Sequence, residues 1–205
     1  MKISLLDYGV GNLPSVERAL QRLGVETERI STSAGVAQAS ALVLPGVGHY
    51  GALIRALDRD GLRPSLIAAI ERGVPFLGIC LGLQALFQNS EEAPDLQGLE
   101  ILPGSVRVLS GAVKLPHMGW DQLQAKAGSR LLEGIDAGAY FYFAHSYAVP
   151  YRDDEAAVET RATCSYGGEF VAVAERETIF AVQFHPEKSG DAGQRVLENF
   201  LRIAA

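Results

Sequence analysis

Phe76-Leu77-Gly78-Ile79-Cys80-Leu81-Gly82-Leu83-Gln84 reads as an apolar strand running into a G-x-C-x-G turn that opens a helix. Glycines on both sides of a nucleophile allow a sharp strand-to-helix turn that projects the central side chain from the sheet edge. This is the logic of the nucleophile elbow, with Cys80 in place of serine. A helix N-terminus behind the sulfur favours thiolate over thiol, and the free N–H of Leu81 can donate to an oxyanion forming beside it. Taken alone, the cysteine has a second reading as an inert core residue, because free cysteines are among the most buried side chains.

The complement lies near the other end, in Gln183-Phe184-His185-Pro186-Glu187-Lys188-Ser189-Gly190. Ile179 to Phe184 predicts a buried strand with His185 at its end. Residues i and i+2 of an extended chain point to one side, so His185 and Glu187 are expected to face one site. A carboxylate that holds an imidazole fixes its tautomer and orientation, which a base working on a thiol requires. An isolated loop-end histidine would carry no such meaning. Paired with the cysteine elbow, it completes a triad of Cys80, His185 and Glu187.

The segments around these motifs alternate strand and helix in the first half. Lys2 to Asp7, Ala41 to Leu44 and Pro75 to Ile79 read as strands, and Ser15 to Leu23, Tyr50 to Leu57 and Pro64 to Arg72 as helices. Such alternation implies right-handed crossovers and an open, mostly parallel α/β sheet with helices on both faces. Val106 to Leu109, Tyr140 to Ala144, Thr163 to Tyr166, Phe170 to Ala174 and Ile179 to Phe184 are shorter strands expected as antiparallel additions. Ala192 to Ile203 is an amphipathic closing helix. Ligands of open α/β sheets bind outside the carboxyl ends of the strands. The turns Gly9-Val10-Gly11-Asn12, Pro45-Gly46-Val47-Gly48 and Gly78-Ile79-Cys80 should therefore meet at one edge, joined by His185.

With 205 residues, 48% hydrophobic and 20% charged, the chain is expected to fold as one domain over residues 1–205. A net charge of -6 argues against a nucleic-acid surface. Two cysteines make no disulfide framework, and Lys2-Ile3-Ser4-Leu5-Leu6 resembles a strand more than a signal peptide, so a reducing cytoplasm is expected. No run approaches the roughly 20 apolar residues of a membrane span.

Two cofactor readings fail on spacing. Gly46-Val47-Gly48-His49-Tyr50-Gly51 satisfies G-x-G-x-x-G, but the acidic residue due at the end of the next strand is replaced by Cys80, and Glu71 falls in a helix. The exposed N–H groups of this loop, at Val47 and Gly48, suit a second oxyanion donor opposite Leu81. His49, His117, His145 and His185 show no metal-ligand spacing, so no metal or other cofactor is expected. His145 ends a strand whose tip is placed to line a substrate pocket.

The chain resembles the triad-type, or class I, glutamine amidotransferases over nearly its whole length, through Gly78-Ile79-Cys80-Leu81-Gly82-Leu83-Gln84 and His185-Pro186-Glu187. The resemblance implies a flavodoxin-like fold and hydrolysis of the glutamine side-chain amide through a thioester on Cys80. It also implies that His185 shuttles the proton, that Glu187 orients it, that Gln84 holds the substrate, and that Ser146 with Tyr147 holds the substrate's amino-acid end. Residues i and i+4 share a helix face, which agrees with Gln84 facing the same site as Cys80.

Asp7-Tyr8-Gly9-Val10-Gly11-Asn12-Leu13, Pro45-Gly46-Val47-Gly48, Pro116-His117-Met118-Gly119-Trp120 and His185-Pro186-Glu187-Lys188-Ser189-Gly190 together resemble the branch of this family that serves histidine biosynthesis. That branch has Asn where this chain has Asp121. The resemblance implies a heterodimer with a separate cyclase subunit that consumes the ammonia, with Asn12, Trp120, Tyr142 and Lys188 at the interface. Two alternatives keep the same nucleophile: a glutaminase subunit of another ammonia-using synthase, or a stand-alone thiol hydrolase of this fold. A non-catalytic flavodoxin-like binding module would need neither thiolate nor base.

Overall fold

The computed structural model describes residues 2–9, 12–151 and 159–205. Val10 and Gly11 of the first glycine-bearing turn lie outside the described residues. The first half runs β1 (Lys2–Leu6), α1 (Leu13–Arg22), β2 (Glu26–Ile30), α2 (Ser33–Gln38), β3 (Leu42–Gly46), α3 (Tyr50–Arg59), α4 (Leu62–Glu71), β4 (Phe76–Cys80) and α5 (Leu81–Gln84). The second half adds β5 (Asn89–Ser90), β6 (Ser105–Val108), β7 (His117–Gln122), β8 (Gln124–Ala125), β9 (Tyr140–His145), β10 (Tyr147–Ala148), β11 (Thr160–Ser165), β12 (Glu169–Arg176) and β13 (Ile179–Val182). A 3-10 turn over Pro186–Lys188 leads into α6 (Gly190–Ala204).

The main sheet has the order β2-β1-β3-β4-β13-β12-β11-β8. Its first five strands are parallel, and β12, β11 and β8 extend it antiparallel. Leu53, Ile54 and Leu57 of α3 with Leu66 and Ile70 of α4 cover one face. Val16 and Leu20 of α1 with Val196, Leu197 and Phe200 of α6 cover the other. The parallel strands are buried on both sides, which explains why β3 and β4 read as continuous apolar runs. No helix among the described residues is long and apolar enough to cross a membrane.

Several expected elements take different places. The strand expected at Val106 to Leu109 forms β6 of a separate three-stranded sheet, and Tyr140 to Ala144 falls in β9, which among the described residues pairs with β7 alone. The strand expected at Ile179 to Phe184 ends at Val182 and joins the parallel part of the sheet, because it inserts beside β4 instead of following a hairpin from it. β2 escaped the sequence reading because, as an edge strand, it buries only Ile30 and shows no apolar alternation. The helix opened by Cys80 is a single turn. The carbonyls of Ala85, Leu86 and Phe87 accept from Leu99, Ile101 and Glu100, so they are not free to propagate it.

The glycines of the elbow serve close approach. A Cβ on Gly82 would run into the Leu44 carbonyl oxygen, one on Gly78 would sit 2.5 Å from the Gly82 oxygen, and one on Gly46 would sit 2.5 Å from Leu81 Cβ. The left-handed conformation falls on Cys80 itself, at φ 55° and ψ -105°. A non-glycine residue held there stores roughly 1–3 kcal/mol of strain, sustained by the surrounding sheet.

Gly82→Ala is expected to destabilise the chain by about 3 kcal/mol through overpacking against β3, roughly 6–12 °C in melting temperature. Gly138→Ala, whose Cβ would meet only the Gln122 side chain at 3.7 Å, should melt like the parent. A thermal melt of the two variants side by side checks this.

Candidate active site

Parallel pairing of β4 with β13 sets Val182 beside Ile79, so the chain leaving β13 runs past Cys80. Three hydrogen bonds then hold His185. Its N–H donates to the Tyr142 carbonyl at 2.9 Å, the Ser189 hydroxyl donates to its carbonyl at 2.7 Å, and that hydroxyl accepts from the Tyr142 N–H at 3.0 Å. The ring Nδ1 lies 2.9 Å from Glu187 Oε1, with both side chains almost fully buried. The reason differs from the extended-chain argument: Pro186–Lys188 is a 3-10 turn, and the turn folds Glu187 back onto the ring.

The Cys80 sulfur stands beside the His185 imidazole on the cavity wall. Burial opposes a charge on the ring, yet the bonds to Cys80 and Glu187 outweigh it and raise His185 to about 10. The ring is therefore held as an imidazolium beside the Cys80 sulfur. Gln183, fully buried, donates from Nε2 to Cys80 Sγ at 3.5 Å.

A cavity of about 520 Å³ opens on this centre. Of the residues singled out in the sequence, Val47, Gly48, Leu81 and Gln84 line it together with Cys80 and His185, as do Ser146 and Tyr147. Asn12 and Lys188 reach it as well. Glu187 does not line it and contacts the His185 ring instead. Trp120 and Tyr142 also lie off the cavity, packed edge to face with ring centroids 5.9 Å apart. Lys188 Nζ lies 5.5 Å from the centre of the Tyr142 ring, which joins this aromatic pair to the cavity rim.

Sequence reasoning missed several residues here. Glu92 lines the cavity, and its Oε2 accepts from the Tyr50 N–H at 2.6 Å. In sequence it is one of two adjacent glutamates with nothing to separate it from a solvated pair. Met118, 65% exposed, and Tyr140, 54% exposed, extend the apolar face of the β7–β9 ribbon that carries Trp120. The amides that a dinucleotide phosphate would need at the start of α3 are occupied, by Glu92 on Tyr50 and by His49 Nδ1 on Gly51.

His145, His117 and the second thiol are core groups, whereas His49 is exposed. His145 lines the cavity, but burial pushes its imidazole down to about 3, and Nδ1 contacts the Tyr147 carbonyl at 2.9 Å. His117 stacks on Tyr166 and Phe143 at 4.0 and 4.8 Å between centroids. Cys164 is fully buried, and burial with the Asp121 carboxylate nearby pushes its thiol up to about 12. Asp121 also lies 3.6 Å from His117 Nε2, so its charge sits in the ribbon and away from the triad. Among the described residues, no cluster of His, Cys, Asp and Glu is arranged to hold a metal.

Comparison with known proteins places this geometry in a family. Residues 4–204 match the model of glutamine amidotransferase class-I. The chain is 46% identical over 205 residues to imidazole glycerol phosphate synthase subunit HisH of Aquifex aeolicus, covering all of this chain and 98% of that protein. It is 44% identical over 198 residues to the HisH subunit of Moorella thermoacetica, covering 97% and 93%. Imidazole glycerol phosphate synthase hisHF of Arabidopsis thaliana is 42% identical over 202 residues, which are 97% of this chain and 34% of that longer protein. A solved structure described as PurLQS from Thermotoga maritima superposes with a TM-score of 0.77 at 20% identity over 100% of this chain and 99% of that one, a likeness of fold. The chain belongs to the class I glutamine amidotransferases, in the group of HisH subunits of imidazole glycerol phosphate synthase.

Proposed function

We propose that this chain is the glutaminase subunit of an imidazole glycerol phosphate synthase, releasing ammonia from glutamine on Cys80 for a cyclase partner, HisF, in a heterodimer. The observation that carries the reading is the buried Cys80–His185–Glu187 chain opening on a cavity at the carboxyl ends of the parallel strands. The thiolate attacks the carboxamide carbon of glutamine. Negative charge developing on the amide oxygen is met by the Leu81 N–H and by an N–H of the Val47–Gly48 loop. His185, already protonated, gives its proton to the departing ammonia, leaving a thioester on Cys80. Water deprotonated by the now neutral imidazole hydrolyses the thioester to glutamate and restores the thiolate. Glu187 holds the ring on its Nδ1 side throughout.

The cavity supplies groups for the amino-acid end of glutamine. The Glu92 carboxylate suits the α-ammonium, Ser146 and Tyr147 the α-carboxylate, and Gln84 the side-chain amide. Ammonia liberated in water is protonated and lost as a nucleophile, so it is best handed on across an interface. The rim residues Asn12 and Lys188, with Trp120 and Tyr142 on the adjoining ribbon, form the face on which the cyclase docks. There the ammonia enters formation of imidazole glycerol phosphate and aminoimidazole carboxamide ribotide.

Cys80→Ala should abolish synthesis from glutamine while leaving synthesis from ammonium salt at high pH intact in the assembled complex. Loss of both activities in a folded, partner-bound variant would put Cys80 in the partner's chemistry and overturn the reading. Glutamine hydrolysis should rise at least tenfold when cyclase and its nucleotide ligand are added. Equal turnover by the free chain would favour a stand-alone hydrolase. The raised His185 value gives a third expectation with a definite sign. The imidazolium contributes stability fully below its unfolded value of roughly 6.5 and loses it as pH rises through about 10. Ring nitrogen shifts followed by NMR should show the His185 titration moving to lower pH in Cys80→Ala, since the thiolate is gone. An unmoved titration would break the ion-pair assignment.

A further inference from the structure

Gln183 has no part in the scheme above, yet it is fully buried and touches both the nucleophile and a substrate-facing residue. Continuing the register of β13 on β4 past Val182 and Ile79 sets Gln183 beside Cys80. The polarity of its amide is fixed by a short chain of hydrogen bonds. The Tyr147 carbonyl has only lone pairs to offer, so the Gln84 group 2.8 Å from it must be the NH2. The same NH2 donates to Gln183 Oε1 at 3.1 Å, which leaves Gln183 Nε2 as the end facing Cys80 Sγ at 3.5 Å. Inverting the Gln183 amide would set NH2 against NH2 and a carbonyl oxygen against the thiolate. Gln84 Oε1 remains buried with no partner among the described residues, on a side chain that lines the cavity.

We infer that Gln183 is a thiolate-binding donor whose orientation is imposed by Gln84 and the Tyr147 carbonyl, so that the nucleophile's charge and the substrate-facing amide belong to one hydrogen-bond chain. The inference rests on Cys80 being the nucleophile. An N–H aimed at sulfur favours the charged form over the thiol, as does the imidazolium of His185, and burial excludes a water that might replace it. Gln183 therefore acts on the protonation state of the Cys80–His185 pair, while a residue that merely filled space would leave it unchanged.

The test compares the wild type with Gln183→Met, close in size with no donor, and Gln183→Glu, close in shape with a carboxylate toward the sulfur. Labelling of Cys80 by iodoacetamide, which needs no substrate pocket, is followed against pH. Labelling at pH 7 is expected to fall about 10- to 100-fold in Gln183→Met, and further in Gln183→Glu. The profile should shift to higher pH and reach at least the wild-type plateau. Glutamine turnover by the complex with cyclase should lose kcat more than it gains KM. In the wild-type chain, the Gln183 side-chain amide resonances should titrate with the midpoint of the labelling profile, a measurement that needs no variant to fold. A wild-type labelling profile in folded Gln183→Met, or amide resonances flat across that midpoint, overturns the inference. Wild-type protein labelled at Cys164 in place of Cys80 would instead overturn the nucleophile assignment beneath it.

Discussion

The pairing of β13 alongside β4 is the constraint on which the site depends. Residues paired across the two strands are 103 positions apart in sequence and lie in parallel register, which puts the carboxyl ends of both at one level. The nucleophile turn leaves one strand and the histidine segment leaves the other. Their side chains meet without any loop having to reach across the sheet. Gly46 on β3 lies beside Cys80 on the other flank, so the loop carrying Val47 and Gly48 arrives from the opposite side at the same level. The meeting of Cys80, His185, Val47 and Gly48 on the cavity wall is thus a product of strand register, a stiffer determinant of position than loop conformation.

A second link ties this centre to the outer ribbon. Tyr142 presents its ring to Trp120 and Lys188, while its backbone N–H and carbonyl hold Ser189 and His185. Three hydrogen bonds, two of them through the Ser189 hydroxyl, thus tie the β9 backbone to the backbone of His185. The exposed apolar residues Met118 and Trp120 lie on β7, the strand paired with β9 along its whole length. That face is therefore joined to His185 through main chain.

What was legible in the sequence follows from which signals are local. The elbow, the strand before it and the histidine motif each carry their chemistry within about ten residues, so Cys80, His185 and Glu187 could be read directly. The parallel core was legible because strands buried on both faces are uniformly apolar. β2 and β7 were not, since one is a charged edge and the other alternates across a ribbon that is half exposed. Glu92 and Gln183 were invisible for a different reason. Their roles come from neighbours 42 and 103 positions away, and nothing local separates them from an ordinary loop glutamate or strand glutamine. The pairing of His185 with Glu187 was anticipated from extended geometry, whereas a tight turn produces it. Two residues of separation suit both conformations.

Cys80 occupies a backbone conformation that glycine would adopt at no steric expense. Backbone conformation alone would favour glycine there. A lineage released from the need to cleave glutamine would shed this backbone strain by replacing the cysteine with glycine. The cysteine here thus sets chemistry against the grain of the backbone, and a glycine in its place would mark a relative that keeps the fold only as a scaffold.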